Sequence, residues 1–179
     1  LKEDGLFIFS YHHARHEGWT SLHRAIRDAG FVCVQAYPIK AEMSVSMPLH
    51  QAKSPIHLDL IIICRKTATN DNPAQYEVRP ATAVQMAKQQ TAQLRGAGIN
   101  ISLGDAKVIL MGQHLCEAHR LHSLTAQEEY LTSVEHKIDQ YVADLLTTKG
   151  EVLYTAAEAQ QLALFEELAS YQTQATAPA

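Results

Sequence analysis

The chain has 179 residues, 46% of them hydrophobic and 19% charged, with a net charge of −4. That size suits one globular domain of ordinary dimensions, burying roughly 70% of the surface its unfolded chain exposes. No apolar run approaches the roughly 18 residues of a membrane span, and Cys33, Cys64 and Cys116 are too few and scattered for a disulfide framework, so a reducing cytoplasm is the expected compartment.

Charge is uneven along the chain. Residues 1–66 hold eight Lys/Arg against six Asp/Glu, with six of the ten histidines, while residues 67–179 hold seven against thirteen. An acidic total does not advertise nucleic-acid binding, but the mildly basic first third leaves room for a local patch that meets phosphates.

Gly5-Leu-Phe-Ile-Phe-Ser-Tyr-His-His13 reads as a buried strand ending in two histidines. It leads into an amphipathic helix from Trp19 to Ala29, with Trp19, Leu22, Ile26 and Ala29 on one face and Gly30 as its stop. A second apolar run, Phe31 to Tyr37, follows. Strand, helix and strand form a βαβ unit, whose chemistry sits at the carboxyl ends of parallel strands, so the two histidines mark the working face. The first strand starts almost at Leu1, as expected of a piece cut from something larger.

Leu58-Asp-Leu-Ile-Ile-Ile-Cys64 is a third strand. It and Phe31–Tyr37 are apolar on nearly both faces, as strands inside a helix-covered sheet are. Asp59 is the exception, a strand-end carboxylate either in solvent or paired. The connection from Lys40 to Ile56 is long for a compact domain and carries too little charge for a plain linker.

The rest is helical. Thr67 to Pro80, with Asn70-Asp-Asn-Pro73, reads as a linker. Pro80 opens a helix to about Arg95, closed by Gly96 and Gly98. Ser102 and Asp105 form a capping box, with Ile101 as a staple, ahead of a helix to about Leu121. Thr125 with Glu128 predicts a second box before one helix carrying Leu131, Val134, Ile138, Tyr141 and Leu145. Thr155 with Glu158 predicts a third before Leu162, Phe165 and Leu168, and residues 172–179 form a disordered tail.

Chemistry is sparse. His114, Cys116, His119 and His122 fall on one predicted helix, but no His-Glu-x-x-His or paired Cys-x-x-Cys occurs, so no metal site is assigned. There is no Gly-x-Ser-x-Gly elbow, no Gly-x-Gly-x-x-Gly and no phosphate-binding Gly-Lys-Ser/Thr loop. Cys33 and Cys64 lie within apolar strands, where a thiol is usually inert. No self-contained catalytic set is present.

The segment order resembles the last third of a class I S-adenosylmethionine-dependent methyltransferase, and is most similar to the large DNA adenine methylases. The resemblance rests on Gly5–His13, Gly18-Trp19, Asp28-Ala-Gly-Phe31, Tyr37-Pro-Ile-Lys-Ala-Glu42, Lys53-Ser-Pro-Ile56 and Asp59-Leu-Ile-Ile-Ile-Cys-Arg-Lys66. It covers residues 1–66 well and the helical remainder loosely. It implies an α/β fold: the carboxyl-terminal edge of a Rossmann-like sheet plus a C-terminal helical extension. Leu6–Ser10, Val32–Tyr37 and Leu58–Cys64 would be its fifth, sixth and seventh strands, in spatial order fifth, seventh, sixth, with the seventh antiparallel. Residues 1–66 would belong to the catalytic domain, 67–80 to a linker and 81–171 to the extension.

The same resemblance implies a target-side rim of Tyr11, His12, His13, Tyr37, Glu42 and Lys53, with Tyr37 stacking on a base flipped out of DNA. Plainer roles stand beside these: Tyr11 covering the sheet end, His12 capping the next helix, Trp19 packing in the core. The Gly-rich cofactor loop and the Asp-Pro-Pro-Tyr motif of the family are absent from this sequence. S-adenosylmethionine would then be bound mainly by a missing N-terminal part of the same polypeptide, and this chain would methylate nothing alone. Adenine N6 is the expected target, with cytosine N4 and RNA fitting the same motifs. An alternative from another class is a non-catalytic helical module that meets a protein partner through the Leu131–Leu145 stripe.

Overall fold

The computed structural model describes residues 1–2, 5–41, 56–67 and 80–147. The described residues form three strands and five helices: β1 (Leu6–Tyr11), α1 (His16–Asp28), β2 (Phe31–Lys40), β3 (Leu58–Lys66), α2 (Pro80–Gly96), α3 (Leu103–Ala118), α4 (Leu124–Glu135) and α5 (Ile138–Thr147). The fold is mixed α/β, and no described helix is long and apolar enough to cross a membrane.

The sheet has the order β1-β3-β2. β3 runs antiparallel to both neighbours, with Ser10 opposite Ile61 on one side and Tyr37 opposite Ile61 on the other, so β1 and β2 are parallel to each other and separated by β3. This is the pairing expected for Leu58–Cys64. The register of β2 on β3 shifts between Cys33 and Gln35, a bulge that turns the strand where α3 crosses it.

Burial differs from the expectation of strands covered on both faces. Along β3, Leu58, Leu60, Ile62 and Cys64 are buried while Asp59, Ile61 and Ile63 are half-buried, a period of two that marks one covered face. In β1, Leu6, Phe7 and Ile8 are 42%, 44% and 52% exposed. The reason is positional: β1 is an edge strand, and the described helices pack on one side of the sheet only.

α1 starts at His16, three residues earlier than the sequence indicates, and Trp19, His23 and Ile26 are its buried face. Ala29 caps it and is exposed, and Gly30 takes φ +77°, the left-handed turn that reverses the chain into β2. α3 has the expected capping box: the Ser102 hydroxyl accepts from the Asp105 N–H, and the Asp105 carboxylate accepts from the Ser102 N–H. α3 ends at Ala118 instead of near Leu121, where the N–H groups of Arg120 and Leu121 donate to the carbonyls of Glu117 and Ala118 in tighter turns.

The expected Thr125–Glu128 box does not form. Ser123 caps α4 by accepting from the Ala126 N–H at 3.0 Å, and Glu128 instead takes Arg24 of α1 at 2.7 Å. The helix expected to run from Leu131 through Leu145 is two helices, broken at His136–Lys137. Leu131 and Val134 from α4, and Val142 and Leu145 from α5, are all buried within this chain. The third box and its helix, and the tail, lie outside the described residues.

Nearly every residue of α3 is buried, so it is the central helix of the fold. One side joins the sheet and α1: Val108, Met111 and Leu115 share a cluster with Trp19, Ile26, Leu60, Ile62 and Cys64. The other side joins α2 and α5: Ile109 and Leu110 pack with Ala87, Val142 and Leu145, and Leu58 of β3 enters the same cluster. At Gly112 an added Cβ would lie 2.4 Å from Leu60 Cδ1 and 3.2 Å from Ala36 Cβ, so the missing side chain is what lets α3 lie on β2 and β3. The outer edge of β2 is closed by amides: Gln90 and Gln113 each donate to the Ala36 carbonyl at 2.8 Å.

Candidate functional site

The carboxyl ends of β1 and β2 and the start of β3 meet at one end of the sheet. Tyr11 leaves β1 on the covered face, opposite Leu60. Its hydroxyl donates to the Gly18 carbonyl at 3.0 Å, and its ring meets Trp19 edge-on at 5.2 Å. Burial raises the phenol above its usual range. Tyr11 therefore fastens the start of α1 to the sheet.

His13 belongs to the same latch. Its Nδ1 lies 2.9 Å from the Arg15 carbonyl and 3.1 Å from the Arg15 N–H, and its own carbonyl accepts from Trp19 Nε1 at 2.9 Å. Its ring fills the space where a side chain on Gly18 would begin, 2.2 Å from the position of an added Cβ. The one glycine in this first turn is thus occupied by the protein itself and offers no cradle for a ligand.

His12 turns the other way. Its Nδ1 contacts Asp59 Oδ1 on β3. A carboxylate only accepts, so Nδ1 carries the proton, and in the neutral ring it is Nε2 that presents a lone pair. The His12 side chain is 48% exposed and that of Asp59 is 23% exposed, so the pair sits at the surface with its free nitrogen reachable. Tyr37 lies on the uncovered face of β2, opposite Ile61, and is 44% exposed, with Ile39 exposed beyond it opposite Asp59. The structure thus groups His12, Asp59 and Tyr37 at the uncovered side, and turns Tyr11 and His13 toward the core.

Glu42 and Lys53 lie outside the described residues, as do residues 42–55 of the long connection. Its two stems are described and joined. The Ala41 N–H donates to the His57 carbonyl at 3.0 Å, and the Asp105 carboxylate accepts from the N–H groups of His57 at 2.7 Å and Leu58 at 3.0 Å. The N-terminal end of α3 therefore holds the stem that precedes Asp59.

Sequence reasoning missed three features. A cavity of about 150 Å³ lies between the start of α1, α3 and the α4–α5 junction, lined by His13, His16, Trp19, Lys107, Met111, Glu135 and Ile138 among others. In it His16 Nε2 is 3.5 Å from Glu135 Oε2, and His16 Nδ1 is buried without a hydrogen-bond partner. Second, His119 Nδ1 accepts from the Cys33 N–H at 2.8 Å, which leaves its Nε2 to donate to His23 Nδ1 at 2.8 Å. Burial lowers His119 to about 3, with His23 and Arg27 adding to the effect. Third, of the two alternatives left for Asp59, solvent or a partner, the structure shows the partner, His12, which the sequence does not name.

The histidines and cysteine on α3 diverge. His114 Nδ1 meets the Tyr130 hydroxyl at 2.7 Å, His119 meets His23, and Cys116 Sγ lies 3.2 Å from Cys33 Sγ. Among the described residues no group of three or more His, Cys, Asp or Glu side chains gathers to hold a metal. The Cys33 thiol is held well above its usual range by hydrogen bonding to Cys116 and Cys64 and by burial, which disfavours its thiolate.

No family model, curated protein or solved structure matches this chain.

Proposed function

We propose that this chain is the carboxyl-terminal edge of the catalytic domain of a class I S-adenosylmethionine-dependent methyltransferase that modifies an amino group in DNA, adenine N6 foremost. The observation that carries the reading is the sheet: two parallel strands joined through a helix, with the last strand inserted between them and reversed. A plain sequential sheet would place β2 beside β1. The exposed apolar residues of β1 also support it, since Leu6, Phe7 and Ile8 are what a strand shows when a further strand and its helices belong beside it.

Among the described residues the strand-end turn after β1 does not fit the methyl donor. Gly18 is filled by the His13 ring, and the open glycine Gly30 lies in the turn into β2, at the other end of the sheet from His12 and Asp59. The donor would be held by the upstream part of the polypeptide, and this chain would supply target-side groups at the uncovered end of the sheet: His12, Asp59 and Tyr37. Partner DNA fits the mildly basic first third of the sequence.

The test starts from the reading frame that contains this chain. The whole polypeptide, extended upstream, is incubated with labelled S-adenosylmethionine and amplified, unmethylated DNA, and the digested nucleosides are separated by mass. Label in N6-methyladenine is the expected result. Label in N4-methylcytosine or in added RNA would move the target, and no label in any of them, or a frame without the Gly-rich loop and Asp-Pro-Pro-Tyr, would overturn the reading. Calorimetry on the isolated chain adds a check: a one-to-one isotherm with S-adenosylmethionine would place the donor site here after all.

A further inference from the structure

We infer that His12, oriented by Asp59, is the base that takes the proton shed by the amine as it is methylated, an inference that rests on the methyltransferase reading above. An exocyclic amine that gains a methyl group becomes cationic and must lose one proton. The N–H bond breaks, its electron pair stays on the amine nitrogen, and the proton is bound by the lone pair of His12 Nε2. The resulting imidazolium is held by the Asp59 carboxylate until water at the exposed surface removes the proton.

Three observations single out this pair. The contact runs from His12 Nδ1 to Asp59 Oδ1, which fixes the tautomer with Nε2 as acceptor. His12 stands at the carboxyl end of β1, and the ring is half-exposed while its orienting carboxylate is more sheltered. Of the other histidines near this end, His13 is turned to the covered side with its ring against Gly18 and its Nδ1 on the Arg15 backbone, and His16 faces Glu135 inside the cavity. Asp59 is a positioning residue: Leu58 and His57 on its N-terminal side are clamped by Asp105, and Ile39 is opposite it on β2, so the carboxylate is placed by the sheet.

The experiment has two arms. In this chain, nitrogen-15 spectra of the histidine rings should show His12 protonated at Nδ1, with that preference lost in Asp59→Asn. A His12 ring protonated at Nε2 in the wild type would overturn the inference whatever the enzyme does. In the full polypeptide, His12→Ala should lower kcat about a hundredfold with KM for DNA nearly unchanged, and Asp59→Asn about tenfold. Added imidazole should restore at least part of the His12→Ala rate, which a structural defect would not allow. An active wild type whose His12→Ala variant keeps its kcat, or whose loss imidazole fails to rescue, overturns the base and leaves the methyltransferase reading standing. A wild type that methylates nothing overturns both.

Discussion

Asp105→Ala should be among the most damaging single substitutions in the chain. The carboxylate is buried and accepts three backbone N–H groups: His57 at 2.7 Å, Ser102 at 2.9 Å and Leu58 at 3.0 Å. Truncation strands those donors, and each costs about 1–3 kcal/mol where water does not reach. His57 is half-buried, so water replaces part of its loss, leaving a net cost of about 3–5 kcal/mol. Asp105→Asn keeps one oxygen for His57 and Leu58 but turns an NH2 toward the Ser102 N–H, at about 2 kcal/mol. Ser102→Ala removes one cap for about 1 kcal/mol. Urea titrations followed by circular dichroism should give midpoints in the order wild type, Ser102→Ala, Asp105→Asn, Asp105→Ala at constant slope. An Asp105→Ala chain within 1 kcal/mol of wild type would show that α3 does not clamp β3 through this side chain.

Acid should weaken the fold earlier than carboxylates alone would. Burial lowers His114 to about 4 and His119 to about 3, so between those values and about 6.5 the unfolded chain binds protons that the folded chain refuses, and stability falls as pH drops below about 6.5. His23, lowered chiefly by burial, acts in the same direction, while Glu117, raised by burial, acts against it. At pH 5 the loss should be about 2 kcal/mol for each of His114 and His119, read as a shift in urea midpoint from pH 7.5. His119→Asn should flatten that slope, and an unchanged slope would refute the assignment. Gly112→Ala should destabilise although alanine is the better helix former by about 1 kcal/mol, because its Cβ would meet Leu60 Cδ1 at 2.4 Å. A raised thermal midpoint in that variant would mean α3 stands farther from the sheet.

The sheet was legible because its signals are local and redundant. Apolar runs mark all three strands, Gly30 marks the turn into β2, and the Ser102–Asp105 pair marks the start of α3. The break at His136–Lys137 was not, since neither glycine nor proline stands there. Leu131, Val134, Val142 and Leu145 would share one face of an uninterrupted helix as well, so their spacing does not announce the break. Thr125–Glu128 satisfied the capping pattern, yet Ser123 lies two residues earlier and also fits a cap, and spacing alone does not rank the two. Within the candidate site, His12 and Tyr37 fall where strand ends place them. That His13 and Tyr11 turn inward follows from the pleat together with Gly18, whose bare Cα admits the His13 ring, and that contact has no sequence period to announce it.

The helices after residue 80 bear on the site through one side chain, the Asp105 carboxylate of α3, which holds the backbone of the β3 stem. Ser102 caps α3 and is bonded in return by Asp105; Asp105 fixes the N–H groups of His57 and Leu58; the next residue is Asp59, which holds His12. Each link is a hydrogen bond between a regular element and its neighbour, so the free nitrogen of His12 is set by the position of α3 against β3. A site on loops alone would be placed less accurately than one held by a packed helix and a central strand. On the proposed reading, the helical part would position the His12–Asp59 pair. A shift of α3, such as Gly112→Ala would impose, should loosen the His12 tautomer preference as well as the fold, whereas damage confined to the outer face of α4, at Thr125 or Glu129, should leave that preference intact.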